Sequence, residues 1–211
     1  MRKQILCAWL LLPVMAGAYH WGPGQDRLRD DRIDAAIEHA KVASLIARTT
    51  GALKGDAAAK PLWADADVAY GEAIEMLGNK HPDVARALRL ERDKAQMLCS
   101  KLPDARHDLE QLVDDLQADP NADPALLNDA RGALANAQYY MTWLMRLEGA
   151  PREEWEPEIE ASRQNYKLLA EQAEHSATPE AAKKIAEDLE AAVRLARMDL
   201  SELQGLPLPS Q

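Results

Sequence analysis

His81-Pro82-Asp83-Val84-Ala85 and, further along the chain, Asp123-Pro124-Ala125-Leu126-Leu127 are the two stretches that decide the predicted fold. Their prolines stand 42 residues apart, and an apolar run at helical spacing follows each of them. A period of about 20–50 residues is typical of repeat proteins, in which one helical unit cannot bury its apolar face without a neighbour. The sequence therefore predicts a short stack of helix pairs.

Outward from these two starts, apolar spacing and turn residues predict seven helices and no sheet. Aspartate or threonine before a proline is a good helix start, because the side chain caps the first N–H groups and proline fits the first turn. Three antiparallel pairs are expected, and the last helix closes the stack through a polar outer face. The helices are predicted over about 26–50 (ended by Gly51 and Gly55), from Pro61 to Leu77, from Pro82 to Leu102, from Pro103 to Leu116, from Asp123 to Met145, around 155–173, and unbroken from Thr178 to Leu203.

Composition indicates what fills the interior of this stack. Aromatic residues make up only 5% of the chain and phenylalanine is absent, so alanine and leucine have to form the core. Alanine suits closely packed helices because it loses no side-chain entropy in them. A chain of 211 residues is long enough for one domain with its own core.

The two starts and their surroundings resemble the tetratricopeptide repeat superfamily, most nearly the 42-residue repeat of kinesin light chains. In that repeat a His-Pro-Asp-Val-Ala-type start opens the first helix of each pair, as at residues 81–85. The segment Tyr70-Gly71-Glu72-Ala73-Ile74 resembles the end of the preceding second helix. The run from Leu134 to Tyr140, with Gly149 after it, resembles a first helix and its inter-helix glycine, so that the resemblance covers roughly residues 60–170.

This resemblance implies an all-α, antiparallel helix-pair solenoid of about three repeats with a C-terminal capping helix. It also implies a concave groove that binds a peptide or protein, and it brings no catalytic residues. The sequence departs from the pattern after the second start, because Pro179 follows Pro124 by 55 residues and the period is lost. A helical bundle without repeats is therefore the alternative.

The net charge of −10 narrows the range of partners. Phosphate backbones and anionic lipid surfaces bind basic patches, so an acidic surface disfavours nucleic acid and direct membrane-surface binding. A protein or peptide, of basic character if charge selects it, is the expected partner. In the other interpretation, the negative charge selects no partner and only keeps an exported protein soluble.

Residues 1–18 have the pattern of a secretory signal peptide. Arg2 and Lys3 form a positive start, an apolar run of 11 residues extends from Ile5 to Met15, and Ala16-Gly17-Ala18 offers a cleavage site after Ala18. The sequence therefore predicts an exported protein of the periplasm or cell envelope. Residues 19–25 are then a linker, 26–204 the helical domain, and 205–211 a proline-rich tail.

Two other interpretations of the N-terminus remain open. If the segment is retained, residues 5–21 reach the lower length limit of a membrane anchor, with Tyr19 and Trp21 at the interface. In the second interpretation, residues 1–18 form a buried N-terminal helix of a cytosolic protein. The membrane is thus an expected contact only through this segment.

Cys99 is the one cysteine left after removal of the signal, so an intramolecular disulfide is excluded in that form. It lies beside Leu98 on the apolar side of its predicted helix. A small buried hydrophobic residue is the first interpretation, and a reactive or intermolecular thiol is the second.

No motif in the sequence points to catalysis, a cofactor or a metal. There is no HExxH, phosphate loop, GxSxG or dinucleotide fingerprint, and no two histidines stand at ligand spacing on one helix. His107, near Asp104 and Gln111, is expected on a polar, solvated helix face. The protein is therefore predicted not to be an enzyme, and an enzyme or ligand carrier whose site forms only on folding is the minor alternative.

The densest aromatic and methionine cluster covers residues 139–145. Helical spacing turns Met141, Leu144 and Met145 inward and places Tyr140 and Trp143 on an adjacent face, which Tyr166 could join. Core packing is one interpretation of these aromatic residues. The other is a partner-binding surface, because Tyr, Trp and Met are enriched at interface centres.

Together these features predict a noncatalytic cell-envelope scaffold that binds a protein or peptide. The alternative prediction is a structural helical bundle that self-associates and is tethered to the membrane.

Overall fold

The computed structural model of the chain describes residues 23–176 and 178–205. These ranges contain eight α-helices and no strand, which confirms the all-α class. The predictions for the signal segment and for the tail from Leu206 onward lie outside the described residues. The helices are α1 (Pro23–Lys54), α2 (Asp56–Leu77), α3 (Pro82–Leu98), α4 (Leu102–Ala118), α5 (Pro124–Leu147), α6 (Arg152–Ser176), α7 (Pro179–Arg197) and α8 (Leu200–Gln204).

The predicted helix starts at Pro82, Pro124 and Pro179 are confirmed, and a capping side chain precedes the last two. The Asp123 carboxylate accepts a hydrogen bond from the Ala125 backbone N–H at 2.9 Å, at the beginning of α5. The Thr178 hydroxyl accepts one from the Ala181 N–H at 3.3 Å, at the beginning of α7. Each cap satisfies a donor that the first helical turn leaves unpaired.

The boundary between α1 and α2 differs from the prediction. α1 continues through Gly51, and Gly55, with φ +85°, makes the turn before α2 begins at Asp56. Pro61 consequently lies inside α2 and does not start it. A Cβ atom on Gly51 would lie 3.4 Å from the Ala59 Cβ, so this glycine permits close packing of the two helices and does not end one.

The predicted unbroken seventh helix is wrong, because the chain leaves the helical conformation at Met198 and α8 follows. The buried Arg146 guanidinium on α5 donates hydrogen bonds to the carbonyls of Leu195 and Met198. Asp199 then caps α8 in a reciprocal arrangement with Glu202. The buried Arg146, about 50 residues away in sequence, thus satisfies carbonyl groups at the end of α7.

Each helix from α1 to α6 packs against the next one in the chain, and α5 also contacts α3 and α8. Alanine and leucine dominate the interior, as the composition predicts. The N-terminal cluster joins α1, α2 and α3 around Tyr70 and Leu77. The middle cluster joins α3, α4 and α5 around Leu109 and Leu112. The C-terminal cluster joins α5, α6, α7 and α8 around Leu195.

A buried carboxylate ties α2 to α3 and to the turn before α4. Asp67 accepts hydrogen bonds from Arg92 Nε at 2.8 Å, Gln96 Nε2 at 3.0 Å and Lys101 Nζ at 2.6 Å. Its side chain is only 2% exposed. The three donors compensate the cost of taking a charge out of water, and they link α2 to α3 and to the turn before α4.

Cys99 is buried at the end of α3, which confirms the expected burial of this residue. Its Sγ lies 3.6 Å from the Gln96 carbonyl oxygen, and burial raises the pKa of the thiol. A thiol with a raised pKa is a poor nucleophile.

None of the helices in the described part of the chain combines the length and apolar character needed to cross a bilayer.

Candidate functional site

A groove of 420 Å³ opens between α1, α2, α3 and α5. This volume lies in the range of about 300–1,000 Å³ that is usual for ligand pockets. Its apolar surface comes mainly from Trp63 on α2, Met97 and Leu98 on α3, and Ala133 on α5. Three consecutive helices and α5, which follows one helix later, therefore share one concave surface.

Helical spacing explains how α1 and α3 reach this groove. Ser44 and Arg48 stand four residues apart on α1, and Glu91, Lys94 and Leu98 recur at three and four residues on α3. Residues at these spacings lie on one helix face. Each helix thus presents polar groups toward the groove beside its buried stripe.

The rim of the groove carries charges of both signs. Lys94 Nζ pairs with Glu91 Oε1 at 2.7 Å, and both side chains are 40% exposed. An exposed pair of this kind contributes only about 0–1 kcal/mol, so a ligand can replace it at small cost. Among the residues that the structure describes, Arg48 and Asp56 have no ion-pair partner. The rim can therefore pair with either charge on a bound segment.

Polar groups also lie at the base of the groove. Ser44 lines the groove, and it hydrogen-bonds to the Tyr70 hydroxyl of the N-terminal cluster. Burial raises the pKa of that hydroxyl, and the hydrogen bond opposes the shift. Asn136 Oδ1 accepts a hydrogen bond from the Tyr166 hydroxyl at 2.6 Å. No acceptor for Asn136 Nδ2 occurs among the described residues. The base of the groove thus offers the Asn136 amide as a donor to a ligand.

The three aromatic residues that the sequence analysis singles out do not form one surface. Trp143 and Tyr166 are buried in the C-terminal cluster, with 5% and 4% of their surfaces exposed. Tyr140 is half-buried against the middle cluster, and burial raises its pKa to about 12. These positions correspond to the core-packing interpretation of the cluster, and the role of the three residues in partner binding stays a prediction.

The predicted orientation of Leu144 is wrong. Leu144 is 40% exposed, and the neighbouring Trp143 takes the inward position. The reason is that α5 contacts α3, α4, α6 and α8, so its buried surface extends around most of the helix. A single apolar stripe does not describe a helix enclosed in this way.

Tyr166 nevertheless has a connection to the groove that its sequence position does not reveal. Its ring packs in the C-terminal cluster, and its hydroxyl donates a hydrogen bond to Asn136, which lines the groove. No sequence pattern predicts Arg48, Trp63 or Asn136 as site residues. One signal existed: Ser44 and Arg48 interrupt the apolar and alanine stripe of α1 with polar groups.

The chemistry available in the groove favours binding. The residues that line it in the described part of the chain include no histidine and no cysteine. No three His, Cys, Asp or Glu residues within 23–176 and 178–205 are grouped so that they could hold a metal ion. The groove combines an apolar surface with the Asn136 amide donor and a rim of both charges, a composition that protein interfaces share.

The sequence matches no protein-family model, and a comparison with curated proteins gives no significant match.

Proposed function

We propose that the protein is a noncatalytic scaffold whose groove between α1, α2, α3 and α5 binds a segment of another protein. The observation that carries this proposal is the groove itself, with an apolar base around Trp63 and Met97 and a rim of two cations and two anions. Interfaces that bind peptides combine an apolar centre with a polar rim in this way.

In this proposal the helices form a short tetratricopeptide-like stack. Two features support such an arrangement. α1, α3 and α5 supply ten of the twelve lining residues of the groove, and α3 packs directly against α5. In a stack of helix pairs the first helices of successive pairs share the inner surface, which is where an extended binding surface forms.

The bound segment would place one apolar side chain against Trp63 and Met97. The net charge of −10 favours a segment of basic character, and Glu91 and Asp56 would then pair with it. The proposed location is the periplasm or cell envelope, and it rests on the signal-like pattern of residues 1–18.

Site-specific photocrosslinking in cells that make the full chain tests this proposal. A photoreactive amino acid at Ala52, an exposed residue of the groove, should give adducts with a partner protein. The matched control at Leu168, which is 45% exposed on α6 and outside the groove, should give none. Equal adducts from both positions, or none from Ala52, would contradict a binding role for the groove.

Charge reversal on the rim tests the character of the partner. With a basic segment in the groove, Glu91→Lys should lower the yield of the Ala52 adduct several-fold. Glu171→Lys on α6 makes the same change of charge at a side chain that is 60% exposed and outside the groove, and it should leave the yield unchanged. A higher yield with Glu91→Lys would show that the segment is acidic.

A further inference from the structure

The hydroxyl of Tyr166 connects the groove to α6, a helix that contributes no lining residue. It donates a hydrogen bond to Asn136 Oδ1 at 2.6 Å, and Asn136 lines the groove. Tyr166 itself is 4% exposed and is not among the lining residues. A segment bound in the groove would therefore contact Asn136 directly and Tyr166 only through Asn136.

The position of the Tyr166 ring does not depend on its hydroxyl. On the same helix, the Ser162 hydroxyl donates to the Ala135 carbonyl oxygen of α5 at 2.8 Å. Asn165 Nδ2 donates to Gln138 Oε1, also on α5, at 3.1 Å. The ring itself packs in the C-terminal cluster. These contacts join α6 to α5, so the hydroxyl bond of Tyr166 is not needed for that purpose.

The Tyr166 hydroxyl selects one orientation of the Asn136 amide. Burial, and to a smaller extent the charge of Asp188, raises the pKa of the hydroxyl, so the group keeps its proton. Among the described residues, Asn136 Oδ1 is the acceptor of that proton. If the amide turned over, Nδ2 would face the hydroxyl, and a buried O–H group would be left without an acceptor.

The selected orientation determines what the groove offers at this point. Nδ2 of Asn136 has two N–H donors and no acceptor among the described residues. The reversed amide would present an acceptor oxygen in its place. A donor suits the backbone carbonyl oxygens that every residue of a protein segment carries, whatever its side chains.

We propose that Tyr166 is a positioning residue of the groove, whose hydroxyl holds the Asn136 amide with Nδ2 available to donate to a backbone carbonyl oxygen of the bound segment. This inference rests on the proposed binding of a protein segment in the groove. Because the amide is oriented before the segment arrives, less conformational freedom is lost when the bond forms. Tyr166 thus contributes to binding without contact with the partner.

The yield of the Ala52 photocrosslink, divided by the amount of full chain in the cells, tests this role. Tyr166→Phe keeps the buried ring and removes only the hydroxyl. It should lower the adduct yield about three- to tenfold, which corresponds to the net contribution of one hydrogen bond. Asn136→Ala should lower the yield by at least as much, because the donor itself is lost. The control Tyr139→Phe removes a hydroxyl from a ring that packs against the same cluster and does not line the groove, so it should leave the yield unchanged.

A double variant separates positioning from a purely structural role. With Asn136→Ala in place, Tyr166→Phe should cause no further loss of adduct, since the amide that the hydroxyl orients is gone. A further loss of the same size would show that the hydroxyl acts through the stability of the fold, and it would overturn the positioning role.

The side-chain amide signals of Asn136 in NMR spectra of the purified full chain report on the hydrogen bond without a partner. Tyr166→Phe should shift this pair of signals, and Tyr139→Phe should not. Signals that Tyr166→Phe leaves in place would overturn the inference.

The two proposals fail in different ways. If the wild type gives no adduct at Ala52, the proposed function is wrong and the positioning role falls with it. If the adduct forms and Tyr166→Phe leaves its yield unchanged, the groove binds a segment but Tyr166 does not position Asn136 for it.

Discussion

Two aspartates on neighbouring helices are buried to the same degree but have opposite surroundings. Asp67 on α2 is 1% exposed and Asp93 on α3 is 2% exposed. Asp67 accepts hydrogen bonds from Arg92, Gln96 and Lys101. The Oδ2 atom of Asp93 is buried without a donor among the described residues. The pair shows that the partners of a buried carboxylate, and not its depth, determine whether it stays charged.

The pKa values of the two carboxyl groups move in opposite directions. Burial raises the pKa of Asp67, but the hydrogen bonds from Lys101, Arg92 and Gln96 outweigh burial and leave the pKa below its ordinary value. For Asp93, burial and the neighbouring Asp108 raise the pKa to about 7, although Arg89 and Arg92 oppose the shift. Near neutral pH the first group is therefore ionised and the second is close to half-protonated.

The largest expected effect is on the pH dependence of stability, and it comes from Asp93. The pKa of this group is about 7 in the folded chain against an ordinary 3.8, so the folded state binds more protons between these values. The free energy of unfolding should then fall as pH rises from about 4 to about 7, by up to about 4 kcal/mol, and stay level above that. Asp93→Asn cannot ionise, so the variant should be the more stable protein at pH 8.

Urea unfolding of wild type and Asp93→Asn between pH 4 and pH 8 measures this difference. The control Asp114→Asn removes an exposed carboxylate from α4 and should follow the wild-type pH profile. Gln96 Oε1, one turn from Asp93 on α3, is also buried without a donor and could accept from the new amide. Parallel pH profiles for wild type and Asp93→Asn would show that Asp93 is ionised in the folded chain throughout this range.

Removal of the Asp67 carboxylate should lower the stability of the protein, in contrast to Asp93→Asn at pH 8. Asp67→Ala should lower the free energy of unfolding at pH 7 by about 3 kcal/mol, because three hydrogen bonds to a charged group are lost. Arg92 and Lys101 are 38% and 46% exposed and can be hydrated by solvent, which keeps the loss from being larger. Chemical denaturation measures it, and a loss below about 1 kcal/mol would mean that Asp67 contributes little net stability.

The smallest effect is expected from the donors of Asp67. Lys101→Ala should cost about 1 kcal/mol or less in unfolding free energy, because nearly half of the side chain already contacts water. In an Asp67→Ala background the same change should cost almost nothing, since its acceptor is gone. If Lys101→Ala lowered the unfolding free energy equally in both backgrounds, Lys101 would stabilise the protein independently of the Asp67 carboxylate.

The sequence could reveal those features that depend on nearby residues. Asp123 and Thr178 cap helices within their own turns, and the all-α class follows from apolar spacing. The burial of Asp67 is also indicated by the sequence, since Asp67 stands four residues after Trp63 and three before Tyr70, on the predicted stripe of α2. Its three donors lie 25 to 34 residues away, and no local pattern indicates them.

The features that sequence reasoning missed depend on distant contacts. The break at Met198 requires Arg146, which is 52 residues away. The groove joins residues from Ser44 to Asn136, and helical periodicity does not specify how four helices come together. Helical spacing allows Trp143 and Tyr166 a place on the surface, whereas their burial depends on α6, α7 and α8 packing around α5.

The packing of each helix against the next also determines how quickly the chain can fold. A helix whose main contacts lie in the adjacent stretch of chain closes only short loops, and short loops cost little entropy. Proteins rich in local contacts of this kind fold in about microseconds to milliseconds, far faster than sheet proteins of similar size. Refolding of this protein is accordingly expected within milliseconds, and the slower step would be proline isomerisation in the unfolded chain.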